Sequence, residues 1–233
     1  MVVMKISFVL PVLGFEPGLE RALSNIPINE LSKKFDVEIL IVWTPTENYN
    51  DFEEMSSIAK KFNAKVIIEK AKGFGRAHRK GYEIASGDII VASDSDDTYP
   101  LESTLKFLEI FLKKKLDFLS VNRFDNLEKG SMTVPHFIGN KILTFLVNIL
   151  LGLRIKDSQS GMWILRKRIL KQLNLREDSA TFATEIKIKS FKKVKSEEVN
   201  GKYKKRVGKK TMNSLKLGIS QLIYIFRYFL SRR

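Results

Sequence analysis

The sequence predicts an α/β fold: a doubly wound, mostly parallel sheet with helices on both faces. Three observations lead there. Short apolar, β-branched runs alternate with stretches of helical periodicity from Lys5 to Asn122, the pattern of β-α-β units. One run, Val37–Trp43 (VEILIVW), is almost continuously apolar, as in a parallel strand buried on both faces. The run Asp88–Ser93 then leads into Asp94, Ser95, Asp96 and Asp97. That puts carboxylates at a strand's carboxyl end, where open α/β sheets bind their ligands.

The elements follow in order. Lys5–Val12 is apolar and β-branched and ends at Pro11, so it reads as the first strand. Leu19–Phe35 has helical spacing. Val37–Trp43 is the second strand, Asp51–Phe62 a helix and Ala64–Ile68 the third strand. Gly75–Ser86 reads as a helix that Gly87 caps. Asp88–Ser93 is the fourth strand, Leu101–Lys115 a helix and Phe118–Asn122 a fifth strand. After residue 130 the pattern changes to an apolar helix (Phe137–Leu153), a short polar motif, a basic stretch and an amphipathic tail. The division expected is a catalytic domain over residues 1–213 and an amphipathic helix over 214–233.

A chain of 233 residues with 44% apolar content is long enough for a hydrophobic core and is not a disordered chain. It has no cysteine, which excludes disulfides, thiolate zinc sites and cysteine nucleophiles. The net charge of +15 implies a polyanionic partner: nucleic acid, an anionic membrane surface or a phosphorylated substrate. Twelve Lys/Arg against two Glu fall between Ile186 and Lys216. The opening MVVMKISFVLPVLGF lacks a basic leader and a small-residue cleavage site and reads as a strand. No apolar run reaches the roughly 20 residues of a spanning helix.

Several constellations carry chemistry. Asp94 and Asp96 are two hard-oxygen ligands in one strand-end turn, suited to Mg²⁺ or Mn²⁺ completed by water and substrate phosphates; a capped turn before the next helix explains them equally. The glycines of KGFGRAHRKGYEIASGD (Lys72–Asp88) resemble a phosphate-binding turn without the full spacing, and serve as turn residues otherwise. DSQSGMWILRKRIL (Asp157–Leu170) joins an acidic residue to a Ser-Gly turn. YKKRVGKKT (Tyr203–Thr211) sets Arg206, Lys209 and Lys210 around Gly208, a basic loop suited to phosphate or a solvated face. In the tail, Ile219, Leu222, Ile223, Phe226, Phe229 and Leu230 share one helical face. That face suits either an anionic membrane interface or packing on its own domain or a second subunit.

In order, FVLPVLGFEPGLERAL, GFGRAHRKGYEIASGDIIVASDSDDTYP, PHFIGNKILTFLVNILLG, DSQSGMWILRK, FATEI and KRVGKKTMNS resemble family 2 glycosyltransferases of the GT-A fold. The resemblance is to the dolichyl- or polyprenyl-phosphate sugar synthases in particular, and spans Ile6 to Asn213. It implies a metal-dependent, inverting transfer of a hexose from UDP-hexose or GDP-mannose to a polyprenyl phosphate, on the cytoplasmic face of a membrane, with no nucleic-acid partner. It implies Asp94 and Asp96 as the metal-binding pair, Asp96 holding the ion on the donor diphosphate and Asp94 contacting the metal or the ribose. Pro11, Glu16, Gly75, Arg76 and Ser95 would line the nucleotide-sugar site. Asp157 would lie near the reacting sugar, and Glu185 would support the site. Arg123, Arg206, Lys209 and Lys210 would face the acceptor and phosphates. His78 and His136 read as structural or polar surface groups, with help at the acceptor mouth as the alternative role for His136.

The sequence departs from that family at two places. Gly14 and Phe15 stand where relatives carry Asn-Glu, with Glu16 one position late. Trp43 and Thr44 stand where an acidic pair contacts base and ribose, so Trp43 either stacks on the base or packs. The alternatives are a transferase acting on a glycan or soluble acceptor, a basic nucleic-acid-binding module, and a catalytically silent scaffold on this fold.

Overall fold

The computed structural model describes residues 4–47, 50–208 and 214–231. The chain runs β1 (Lys5–Leu13), α1 (Leu19–Ser24), α2 (Ile28–Leu31), β2 (Asp36–Thr44), α3 (Asn50–Lys61), β3 (Lys65–Ile68), α4 (Phe74–Ile84) and β4 (Ile89–Ala92). It continues through α5 (Thr104–Lys113), β5 (Phe118–Asn122), α6 (Val134–Leu151), β6 (Trp163–Arg166), α7 (Leu170–Leu173), α8 (Phe182–Lys193), β7 (Ser196–Asn200) and α9 (Ser214–Leu230). Among the described residues seven strands form one sheet in the order β3-β2-β1-β4-β6-β5-β7. The pairings are parallel except that β6 runs antiparallel to both β4 and β5.

Alternation along β1 sends Phe8 and Leu10 into one core layer and Val9 into the other, as the two-residue period of a strand requires. Phe111 and Leu119 complete the first layer, Trp163 and Phe182 the second. A third, smaller cluster joins α6, α8 and α9 through Val147, Ile188, Tyr224 and Ile225.

Three expectations are corrected. The helix expected over Leu19–Phe35 is two helices, α1 and α2, interrupted at Asn25–Pro27; Pro27 has no amide hydrogen to continue the first. Gly87 is not a helix cap: α4 ends at Ile84, with Ala85 extended. A Cβ at Gly87 would lie 2.6 Å from Ser7 Oγ, so that glycine permits close approach of the chain to β1. The third concerns the stretch after residue 155, where the sheet gains β6 and β7, neither expected. The apolar helix begins at Val134 and ends at Leu151, where Gly152 adopts the left-handed conformation (φ 64°) that terminates helices at low steric cost.

The chain passes outward from β1 through β2 to β3, then returns to place β4 on the other side of β1. The carboxyl ends of β1 and β4 therefore flank the switch point at which such sheets bind ligands.

Candidate active site

Pro11 in β1 and Asp94, Ser95 and Asp96 after β4 line one cavity of about 960 Å³. The Ser95 hydroxyl donates to the Pro11 carbonyl at 2.8 Å, tying the two strand ends together. Two glycines make room for the carboxylates. A Cβ at Gly161 would fall 2.6 Å from Asp94 Oδ2, and one at Gly18 would fall 2.7 Å from the backbone of Asp96.

The acidic residues have separate roles. Asp97 turns away: it is buried in the left-handed region (φ 61°). Its carboxylate binds Arg21 Nε at 2.8 Å, Asn25 Nδ2 at 2.7 Å and Lys204 Nζ at 3.0 Å. It is an anchor for α1 and for the basic loop. Asp96 accepts from Thr98 Oγ1 at 2.6 Å and faces Arg206 Nη1 at 3.2 Å. Among the described residues the Asp94 carboxylate accepts no hydrogen bond. Burial, and then repulsion from Asp96, raise its pKa, against the pull of Arg123 and Arg206. A hard-oxygen group so placed fits a divalent cation, which would favour its charged form. Among the described residues no cluster of three or more His, Asp or Glu could hold a metal by itself, so any ion here takes further ligands from water and substrate.

Glu16, one position late in the sequence pattern, does reach the cavity and pairs with Arg206 Nη2 at 2.7 Å. Arg206 thus bridges Glu16 and Asp96 from the basic loop. That loop is held by Lys204 N donating to the Thr98 carbonyl at 2.8 Å. Lys209 and Lys210 lie outside the described residues.

Arg123 follows β5, is 5% exposed and lines the cavity. Its Nε and Nη2 bind the two Asp157 oxygens at 2.7 and 2.9 Å, and its guanidinium carbon lies 5.3 Å from the centre of the Tyr203 ring. The Asp157 carboxylate also accepts from Arg123 N and Gln159 N. Burial alone would raise this carboxyl; Arg123, aided by Lys187, outweighs that and holds it at about 2. Asp157 is fully buried and saturated with donors, and it does not line the cavity. Its place is behind Arg123, set back from the cavity lining.

Glu185 is likewise set back. Its carboxylate receives Arg176 N at 2.9 Å, Glu177 N at 2.8 Å and Lys189 Nζ at 2.6 Å, fixing the 176–177 turn. Gly75 packs on that same turn, where a Cβ would meet the Glu177 carbonyl, and Arg76 pairs with Asp178 at 2.5 Å. Neither Gly75 nor Arg76 lines the cavity; Lys72, Gly73 and Phe74 do.

Trp43 packs. Its Nε1 donates to the Gly14 carbonyl at 2.8 Å and its ring lies 4.9 Å from Phe52, while Thr44 lines the cavity. His78 is fully buried and stacks on Phe182, and burial lowers its pKa to about 3. His136 lines the mouth.

From the Asp94 floor the cavity continues between two helices. Gly139, Ile142 and Leu143 of α6 line one wall, and Leu215, Gly218 and Ile219 of α9 the other. A Cβ at Gly139 or Gly218 would meet nothing within 4 Å. Val134, Ile138, Ile142, Phe145 and Ile149 of α6 and Leu215, Ile219, Ile223, Phe226 and Leu230 of α9 are exposed, with Ile142, Leu215 and Ile219 at the cleft itself. The two stripes have the same spacing. The tail face expected from the sequence is thereby divided, because Leu222 and Phe229 pack inward on Tyr224, Ile225 and α6. Among the described residues α6 alone is long and apolar enough to cross a membrane by length and composition; here it packs one face on α9.

Residues 7–173 match the family model described as glycosyl transferase family 2. The chain is 29% identical over 153 residues to the dolichyl-phosphate hexose transferase of Haloferax volcanii, covering 65% of each chain. It is 27% identical over 200 residues to the dolichol-phosphate mannosyltransferase of Pyrococcus furiosus, covering 80% of this chain and 53% of that one. It therefore spans only half to two thirds of these relatives' length. Among solved structures it is similar to glucosyl-3-phosphoglycerate synthase from Mycobacterium tuberculosis in complex with Mn²⁺, uridine-diphosphate and glucosyl-3-phosphoglycerate. The TM-score is 0.68 at 17% identity, over 95% of this chain and 80% of that one, a likeness of fold.

Proposed function

The chain belongs to glycosyl transferase family 2, with the GT-A fold, and from that premise we propose that it transfers a hexose from a nucleotide-sugar to the phosphate of a polyprenyl (dolichyl) phosphate. The donor is UDP-hexose or GDP-mannose. One observation carries the reading: a single cavity joins an acidic, arginine-lined floor to an apolar cleft between α6 and α9. A small soluble acceptor needs only the floor; a phosphate on a hydrocarbon chain uses both ends.

Asp94 and Asp96 would hold a Mg²⁺ or Mn²⁺ ion, which would supply positive charge to offset that developing on the leaving group. Pro11, Glu16 and Ser95 shape the donor side. Arg206 exchanges a carboxylate for a phosphate, and Arg123, braced by Asp157, presents its remaining N–H groups to the acceptor. A phosphate monoester has its second pKa near ~6, so the acceptor is already anionic and no side chain has to remove a proton. An acceptor oxygen bonds to the anomeric carbon, the bond to the diphosphate breaks, and its electron pair leaves with the nucleoside diphosphate. The configuration at the anomeric carbon inverts. A saturated Asp157 and a buried neutral His78 suit a mechanism without a general base.

The acceptor stays in the bilayer, so the protein works as a peripheral enzyme, with the paired apolar stripes of α6 and α9 on an anionic membrane surface at its cytoplasmic face. The test is a sugar-nucleotide panel with Mn²⁺ or Mg²⁺, polyprenyl phosphate and radiolabelled sugar, followed by organic extraction. Label in the organic phase that disappears with chelator supports the reading. Label that stays in water across the panel, with folded protein, sinks it.

A further inference from the structure

Behind the cavity wall lies a cluster of charges that the transfer step does not use. Lys187 on α8 is fully buried, between Ile186 and Ile188 of the apolar core. Its Nζ donates to the Asp157 carbonyl at 2.8 Å. Glu198 on β7 reaches the same residue from the other side. Its Oε1 accepts from Asp157 N at 3.1 Å and its Oε2 from Lys156 N at 2.5 Å. Asp157 is therefore held at its amide by Glu198, at its carbonyl by Lys187 and at its carboxylate by Arg123.

We propose that Lys187 and Glu198 are positioning residues: they clamp the Asp157 backbone and thereby set where the Arg123 guanidinium meets the acceptor phosphate. This deepens the acceptor reading above and rests on it.

The arrangement is more than is needed to satisfy one buried carbonyl. A neutral donor would do that, and a buried ammonium is costly to keep charged. Burial lowers the Lys187 pKa to about 7, opposed by Asp157, Glu198 and Asp94 and reinforced by Arg123. With Arg123 and Asp157 the four side chains alternate basic and acidic groups. The end of β5 and the consecutive elements α8 and β7 meet at this one turn. Arg123 alone of the four lines the cavity, so a displaced turn would be felt at the acceptor through that side chain. Misplacing a positioning group by about 1 Å can cost on the order of a hundredfold in rate.

The test compares wild type, Lys187→Met, Glu198→Gln and the double variant of the full chain. The acceptor is a short, water-soluble prenyl phosphate, so that membrane binding does not enter. Thermal melting reports folding, calorimetric titration with UDP and Mn²⁺ reports the donor side, and steady-state kinetics separate KM from kcat. Each single variant should raise the acceptor KM about tenfold while UDP binding stays within about twofold. The double variant should lie near the worse single variant, because both residues act on one turn. Folded variants with wild-type acceptor KM overturn the proposal, as do variants that weaken UDP and acceptor alike. Should Lys187→Met fail to fold, Glu198→Gln, at a partly exposed position, gives the same readout. A wild type that transfers nothing to prenyl phosphate defeats the acceptor reading itself, visible before any variant is compared, and the clamp's acceptor role falls with it.

Discussion

The two ends of the cavity are built differently. The proposed donor end comes from two strands adjacent in the sheet: Pro11 lies in β1, and Asp94, Ser95 and Asp96 follow β4 within a few residues. Its geometry is set by backbone, by two close-packed glycines and by the sheet's switch point. The proposed acceptor end is assembled from side-chain pairing and helix packing. Arg123 is placed by Asp157, 34 residues on, and the cleft walls belong to α6 and α9, which are separated by β6, α7, α8 and β7. The first end depends on local turns, the second on buried charge and on helix packing. Substitutions should therefore fail in different ways at the two ends.

The largest expected effect is at the donor end. Asp96→Ala should lower metal-dependent transfer by roughly a thousandfold, the order seen when a group stabilising developing charge is removed. The melting temperature should change little, since Asp97 retains the anchoring of α1 and Lys204. Transfer retained by a folded Asp96→Ala would remove the metal role and with it the contrast between the ends.

At the acceptor end the matching substitution, Asp157→Asn, should act first on stability. It leaves Arg123 buried without its counter-charge, a loss of about 3–5 kcal/mol when one partner of a buried pair is removed. Denaturant titration measures it. The pair also predicts an acid limb. The folded Asp157 carboxyl sits at about 2, below the ~3.9 of an unfolded chain. Its contribution is thus full above that unfolded value and is lost as pH falls through the folded one. Acid unfolding of Asp157→Asn should lack this component; an unchanged acid profile would mean the pair contributes nothing.

Legibility in the sequence divides along the same line. The first five strands, the strand-end carboxylates and the late Glu16 were readable because each is a local pattern: an apolar run, a turn, a spacing. Trp43 was readable only as two alternatives, since packing against Phe52 and Gly14 depends on a neighbouring strand and helix. β6 carries the sequence WILR, apolar enough to be buried, yet nothing local says that it inserts antiparallel between β4 and β5. β7 reads SEEVN, two glutamates that look solvated, while Glu198 in fact holds the Asp157 turn. Lys187 counted toward the basic load of the last third, and the structure puts it in the core. Asp157 and Glu185 were expected at the chemistry because they are acidic and lie in family-like stretches. Whether a carboxylate is free or saturated depends on donors from elsewhere in the chain, which one sequence does not display.

A smaller effect tests the cleft alone. Gly218 lines it and has open space where a Cβ would point. Gly218→Leu should fill that space and lower transfer to a long-chain polyprenyl phosphate by about tenfold, in line with the roughly 1–3 kcal/mol penalty of overfilling a packed site. UDP binding should be untouched. Equal loss with a short prenyl phosphate would mean that the cleft does not carry the chain.

The smallest effect on the chemistry, though not on where the protein resides, concerns the outer faces of the same helices. Phe145 is 62% exposed and Phe226 46%, so replacing both with Glu removes no core contact, and exposed substitutions change stability by about 0.5 kcal/mol or less. Each phenylalanine buried in a bilayer interface would otherwise contribute on the order of 1.5–3 kcal/mol. Co-sedimentation with anionic vesicles should therefore fall steeply in the double variant, while transfer to a water-soluble prenyl phosphate stays at the wild-type rate. Raised salt should weaken the wild type's vesicle binding only in part, because screening acts on the basic residues and not on the apolar stripes. If the double variant still sediments like wild type, the stripes of α6 and α9 do not meet the membrane. The acceptor end would then have to receive its lipid some other way, and the equal spacing of the two stripes would be a matter of helix packing alone.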